Sequence, residues 1–222
     1  MRSLLPLLAS IAWAAPALAA EHDPQLWTAS TAEFDLGGDV GAAAQFVARF
    51  GDDANGPSEL QYQADLSWEA QPGLVLDAGY SHVVRYQDGD IATREHRVRQ
   101  QVAVGLGEAL GGKIEARARL EQRWRDDSDD TLHRLRTRLA WSRPVGPDGL
   151  SLRLWSEGFF HLNDTDWGRE ARFARVRSQV SLRRKFGDAL TGEVGYLHQY
   201  DRARGREDAF VHALSLAFSY GF

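Results

Sequence analysis

The chain of 222 residues has no cysteine, and only two of its basic residues, Lys113 and Lys185, are lysines. An exported protein without cysteine has no disulfide framework, so a closed, fully hydrogen-bonded sheet is expected to supply its stability. Long hydrophobic runs are equally scarce. Beyond Leu18 no stretch of about 18 apolar residues occurs, which excludes a membrane-spanning helix from the rest of the chain. No basic patch interleaved with base-stacking aromatics is present, so nucleic acid is not an expected partner. Because lysine is nearly missing, positive charge is carried almost entirely by arginine, whose planar guanidinium favours bidentate pairing with carboxylates or phosphates.

The N-terminus reads as an export signal. Arg2 precedes the apolar run Leu4 to Leu18, and Ala17 and Ala19 supply the small residues that a signal peptidase reads. Cleavage is expected after Ala19, making residues 1–19 a signal peptide. Removing it takes away a single charge, that of Arg2, so the formal charge of -5 becomes -6.

The last fourteen residues, AFVHALSLAFSYGF, carry the strongest pattern. Leu214, Leu216, Phe218, Tyr220 and Phe222 alternate with the small residues Ala213, Ser215, Ala217, Ser219 and Gly221. Strict period two places two different surroundings on the two faces of a strand. The same division recurs from Glu59 to Glu69, from Ile114 to Trp124 and from His133 to Trp141. A mean hydropathy of -0.41 with 26% charged residues is compatible with membrane strands, because only alternate residues face lipid. Further strands are predicted at Val40 to Phe50, Leu74 to Tyr86, Glu95 to Leu106, Leu150 to Phe160, Phe173 to Phe186, Leu190 to Tyr200 and Ala209 to Phe222.

These segments predict an all-β fold, a transmembrane antiparallel up-and-down β-barrel of about ten strands, with twelve as the alternative. Short links (EAQPG, GEALGG, SRPVGPDG, GDA) alternate with longer ones (GDDANGPS, QDGDIATR, RDDSDDT, HLNDTDWGREAR, DRARGRED), so the first set is expected to face the periplasm and the second the exterior. Leu26 to Leu36 also has strand character, but an eleventh strand breaks the even parity of single-chain bacterial barrels. Residues 20–39 are therefore read as an N-terminal segment or an extra strand, and residues 40–222 as the outer-membrane barrel of a Gram-negative bacterium.

With the strands placed, several motifs fall in order: Arg117 to Arg123 (RARLEQR), Arg134 to Arg138 (RLRTR), Trp155 to Phe159 (WSEGF), Arg175 to Arg177, and Glu193 to Gln199 (EVGYLHQ). From Trp27 to Phe222 the chain resembles the uncharacterised bacterial family known as domain of unknown function twenty-four-ninety, whose members look like exported outer-membrane barrels. The resemblance implies a fold and a membrane, and no activity.

Strand parity sends charge inward. Arg97, Arg99, Arg117, Arg119, Arg123, Arg134, Arg136, Arg138, Arg153, Arg175, Arg177 and Arg183 share the non-lipid face with Asp65, Asp77, Glu115, Glu121, Glu157 and Glu193. An Arg on the lipid face at mid-membrane costs roughly 2 to 4 kcal/mol, which enforces this parity. Two roles follow: a structural lumen of Arg–carboxylate pairs, and a narrow anion-biased channel, since arginine rings line anion pores. A non-conducting barrel that interacts with lipopolysaccharide is the alternative, through Arg85, Arg94, Arg125, Arg169, Arg172, Arg202, Arg204 and Arg206 at the exterior rim. Phe218, Tyr220 and Phe222 are expected to form the signal read by the barrel-assembly machinery.

The remaining signals for chemistry are weaker. Gly107 to Lys113 spells most of a phosphate-binding loop, but Ile114 replaces the magnesium-ligating Ser or Thr and no helix follows. A lipid-modifying enzyme needs a serine activated by histidine, whereas Ser81 and His82, and Ser156 and His161, differ in parity. Six histidines (His82, His96, His133, His161, His198, His212) lie near the exterior ends, where an amphipathic ring suits the interface. Aromatic girdles are expected at Trp68, Trp141, Tyr220 and Phe222 on one side and Tyr86, Trp124, Phe160 and Tyr200 on the other. No enzyme activity, cofactor or metal is expected, and the oligomeric state is open.

Overall fold

The computed structural model describes residues 21–51, 56–147, 149–202 and 208–222, with the backbone alone for residues 21–23. The predicted signal peptide, Arg204 and Arg206 lie outside the described residues. All regular structure among the described residues is β. The strands are β1 (Glu21–Gly37), β2 (Val40–Phe50), β3 (Glu59–Gln71), β4 (Leu74–Gln87), β5 (Asp90–Ala109), β6 (Gly112–Arg125), β7 (Thr131–Pro144), β8 (Ser151–His161), β9 (Arg172–Phe186), β10 (Leu190–Asp201) and β11 (Ala209–Gly221). Each pairs with its sequence neighbours, and β1 closes on β11. The ten predicted strands β2 to β11 form close to the predicted bounds, except that β5 begins at Asp90 and ends at Ala109 rather than at the expected Glu95 and Leu106.

The difference lies in β1, which enters the wall as an eleventh strand. It pairs antiparallel with β2 and parallel with β11, in register from Glu21↔Ala209 to Glu33↔Gly221. The parallel seam follows from counting. Successive strands of a meander alternate in direction, so the first and eleventh run the same way and can close only in parallel. An odd count also separates the two ends of the described chain: Glu21 lies beside Ala209, whereas Phe222 N donates to Glu33 O at 2.9 Å and its ring stacks on Phe34 with centroids 5.0 Å apart. Closure leaves no unpaired sheet edge.

Connections at one end are short (38–39, 72–73, 110–111, 145–150, 187–189), and those at the other are mostly longer (51–58, 126–130, 162–171, 202–208). We refer to these as the short-loop and long-loop ends. The β4–β5 connection departs from the predicted long link QDGDIATR. Its strands run on to a two-residue turn in which Asp88 (φ 55°) and Gly89 (φ 88°) are both left-handed, the geometry that matches the twist of a tight hairpin.

Side-chain parity turns the usual globular arrangement inside out. Tyr62, Leu66, Trp68, Leu139, Val180, Leu214 and Phe218 point outward and are exposed, whereas Glu95, Arg99, Glu121, Arg123 and Glu157 point inward and are buried. Buried charge is tolerated only when it is paired and hydrogen-bonded. The interior is therefore where the fold places its chemistry.

Candidate functional site

The inward face is built by register. Pairing places Arg99 opposite Glu121 and Glu121 opposite Arg134; it also places Arg138 opposite Glu157 and Glu157 opposite Arg177. Positive, negative and positive side chains thus meet across three adjacent strands, at the spacing over which cross-strand neighbours interact.

Four buried glutamates act as hubs. Glu121 accepts hydrogen bonds from Arg134 Nε and Arg136 Nη1, both at 2.8 Å. Arg136 continues to Glu157 Oε2 at 2.7 Å, and Glu157 also binds Arg117. On the neighbouring strand β5, Glu95 accepts from Arg123 Nε and Nη2 at 2.6 and 2.8 Å, from Arg85 Nη1 at 3.1 Å, and from Arg97. Arg85 Nε reaches Glu59 at 2.9 Å, and Arg49 pairs with the same carboxylate at 2.7 Å. These charge-assisted, partly bidentate bonds are the strong class of protein hydrogen bond.

A further pair, Arg99 with Asp65, spans β5 to β3 across the face of β4. It passes over Gly79, where an added Cβ would lie 1.9 Å from Asp65 Oδ1 and 2.9 Å from Arg99 Nε. Only glycine leaves room for that crossing. Aromatic rings absorb part of the remaining positive charge through their negative faces. Phe159 has the guanidinium carbons of Arg134, Arg136, Arg175 and Arg177 at 5.3, 4.7, 5.6 and 5.1 Å from its centroid. Trp27 lies between Arg49 at 3.9 Å and Arg177 at 4.6 Å.

The lumen holds three cavities in series. The central one, about 650 Å³, is lined by twelve arginines and only three carboxylates, Glu59, Asp65 and Glu157. Adding Glu95, Glu115, Glu121 and Asp201, which bind lining arginines, still leaves twelve guanidinium groups against seven carboxylates among the described residues. A smaller cavity of about 200 Å³ at the long-loop end is also basic, with seven arginines against Glu170 and Asp201. The short-loop mouth is the reverse: about 610 Å³, lined by Glu33, Asp35, Asp39, Asp65, Glu69 and Asp77 with only Arg99 and Arg119.

The loop 162–171 caps the basic mouth. Trp167 lies beneath the guanidinium groups of Arg123, Arg125 and Arg169 at 5.7, 5.0 and 5.5 Å. Asp166 N donates to Asp130 at 2.6 Å, and Asn163 accepts from His133 N at 2.7 Å, tying this loop to loop 126–130 and to the start of β7. Beside it, the backbone N–H of Arg94 donates to Asp126 at 2.9 Å and holds that carboxyl below its ordinary value.

The structure brings most of the sequence-predicted lumen residues together. Arg97, Arg99, Arg117, Arg123, Arg134, Arg136, Glu121 and Glu157 join the networks above; Arg138 pairs with Glu115 at 3.3 Å, Arg153 with Glu193 at 3.9 Å, Arg175 with Asp201, and Arg177 with Gln199 at 2.7 Å. Among the described residues Arg119 bonds Gln101, at 2.8 Å, and no carboxylate. Arg183 and Asp77 share the inward parity without entering the glutamate hubs. One placement is corrected: Arg85, read as an exterior rim residue, bridges Glu59 and Glu95 inside the lumen, because strand register sets it directly opposite the inward Glu59. Arg169 likewise lines the central cavity. Of the other rim arginines, Arg94 pairs with Asp126 at 3.6 Å, Arg172 with Glu170 at 3.7 Å, and Arg125 with Asp127. Arg49, Glu59, Glu95, Trp27 and Phe159 complete the lumen and were not singled out from the sequence.

The histidines divide. His82 and His96 pair on the outward face with centroids 4.8 Å apart, as do His198 and His212 at 5.2 Å, whereas His161 is buried on the inward face. Ser81 points inward to Arg99 while His82 points outward. Cross-strand register does align Ser156, Ser178 and His198 on the outward face, with the two hydroxyls 3.0 Å apart. Gly107 to Lys113 forms the end of β5, the Leu110–Gly111 turn and the start of β6, not a phosphate loop. Among the described residues no cluster of three or more His, Asp or Glu side chains converges as metal ligands do.

Comparison with known proteins gives two matches. Residues 24–210 match the model of a family described as protein of unknown function (DUF2490). An uncharacterized protein of Methylorubrum extorquens is 36% identical over 218 residues, covering 97% of this chain and 95% of that one. No solved structure matches at a significant level.

Proposed function

This chain belongs to the DUF2490 family of proteins of unknown function, and on that premise we propose that it is an outer-membrane β-barrel whose lumen is a narrow, anion-biased pathway. The observation that carries the reading is the central cavity, where twelve arginines face seven carboxylates among the described residues. Rings of arginine lower the energy of an anion in a low-dielectric pore. The outward belt of exposed apolar side chains supports a lipid surrounding, with the long-loop end exterior. In that setting Phe218, Tyr220 and Phe222 present the last strand to the barrel-assembly machinery, and the exposed Arg94 is placed to meet lipopolysaccharide phosphates.

The pathway is narrow and polarised. About eight strands leave room only for side chains and about sixteen leave an open aqueous pore, so eleven strands filled with arginine permit small conductance at most. The acidic short-loop mouth repels anions while the long-loop mouth attracts them. Purified protein in a planar bilayer is therefore expected to give small chloride-selective steps that differ with the sign of the voltage. Arg119→Ala should reduce the chloride preference, because this arginine has no ion pair with a carboxylate among the described residues. Absence of steps from protein that keeps heat-modifiable mobility, or cation-selective steps, contradicts the reading.

A further inference from the structure

We infer that the lumen holds a binding site for an amphipathic organic anion, with its oxyanion head on Arg117, Arg119 and Arg138 and its apolar body against Trp155, Leu197 and Trp27. This rests on the anion-lumen reading and specifies what the lumen retains.

The head site is built from adjoining inward positions. Arg117 and Arg138 are direct cross-strand partners, and Arg119 is the next inward residue on β6. The Arg117 side chain is 10% exposed. Nε of Arg117 and Nε of Arg138 are buried and donate to no acceptor among the described residues. Arg119 bonds the Gln101 amide and has no carboxylate partner among the described residues. Arg117 also pairs with Glu157, and Arg138 with the half-exposed Glu115 at 3.3 Å, through their terminal nitrogens. It is therefore the two Nε donors and Arg119 that are left for a ligand, whereas nearby Arg134 and Arg136 share Glu121. Unpaired buried donors are costly, and a planar or tetrahedral oxyanion presents the paired oxygens that guanidinium groups match.

The apolar half begins where the head site ends. Arg138 lies 5.9 Å from the Trp155 ring centroid, and Trp155 packs on the buried cluster Trp27, Leu197, Val211 and Ala213. One cavity of about 650 Å³ thus joins cationic strands β6 and β7 to an apolar wall from β1, β10 and β11. Its size falls within the roughly 300–1,000 Å³ typical of small-molecule sites. A monatomic anion would use only the cationic half. The charge gradient adds a direction: such a ligand enters from the basic long-loop end and meets acidic repulsion at the other mouth, which favours retention over passage.

The test is calorimetric titration of the barrel in lipid nanodiscs, corrected for empty nanodiscs, with octanoate, octanol and inorganic phosphate as probes. Saturable octanoate binding is expected, with octanol and phosphate each at least tenfold weaker. Arg119→Gln should lower octanoate affinity at least tenfold while heat-modifiable mobility stays unchanged. Octanoate binding no greater than that of empty nanodiscs, equal binding by either other probe, or undiminished binding by the folded R119Q variant would overturn the inference. Bilayer recordings on the same preparation separate the two ideas. Chloride-selective steps without saturable octanoate binding overturn this site and leave the pathway standing, whereas saturable binding without steps supports the site and overturns the pathway.

Discussion

Glu121→Ala is expected to destabilise the barrel by about 3–5 kcal/mol, the range for removing one partner of a buried ion pair. Glu121 is 2% exposed and holds Arg134 and Arg136 at once. Its removal leaves one guanidinium without its carboxylate and the other dependent on Glu157 alone. Glu121→Gln should cost less, because an amide oxygen still accepts a hydrogen bond. Asp129→Ala, in the exposed loop 126–130, should fall within about 0.5 kcal/mol of wild type. Denaturant midpoints of the folded barrel check the order. Equal midpoints for Glu121→Ala and Asp129→Ala would mean that the lumen is solvated enough to screen the lost charge.

Trp27→Ala should be comparably severe, at roughly 3–5 kcal/mol for truncating a buried tryptophan. Trp27 is 7% exposed, packs with Leu197, Val211 and Ala213, and has the guanidinium groups of Arg49 and Arg177 over its ring. Truncation opens a void and removes two cation–π contacts, each worth about 2 kcal/mol when desolvated. Trp68→Ala, at an outward side chain that is 51% exposed, provides the contrast and should shift the denaturant midpoint less. A Trp27→Ala midpoint equal to wild type would place β1 outside the wall, as an accessory segment of a ten-stranded barrel.

The strands were legible in the sequence wherever the two faces differ sharply. In Glu59 to Glu69 every outward position is apolar and every inward one polar, and β3 forms over that segment. The arginine ladder was legible for the same reason, since parity alone assigns a face. The partners were not, because parity carries no register. Arg85 meets Glu59 and Glu95 only once β3, β4 and β5 are aligned. β1 was harder still. Its outward residues include Thr28, Ser30 and Ala32 and its inward ones include Trp27, so its alternation is shallow, and the even-parity rule argued against admitting it. Trp27 and Phe159 were missed because aromatic residues in a barrel strand are expected on the lipid face. Here they point inward, where several guanidinium groups need the negative face of a ring.

The lumen, its charge gradient and the position of Trp27 all require the parallel seam between β1 and β11, and a disulfide cross-link tests that seam most directly. The chain has no native cysteine, so a pair of substitutions gives a clean background. Ala29 and Ala217 are register partners across the seam, and paired strands lie about 4.7–4.9 Å apart, within the Cα range that a disulfide bridges. The doubly substituted protein, Ala29→Cys with Ala217→Cys, is expected to form an intramolecular disulfide on oxidation. It should appear as a reductant-sensitive shift in the mobility of the unfolded chain, while the folded form stays heat-modifiable. No cross-link at this pair, together with one between Ala43→Cys on β2 and Ala217→Cys, would show β2 closing on β11 and contradict the eleven-stranded barrel.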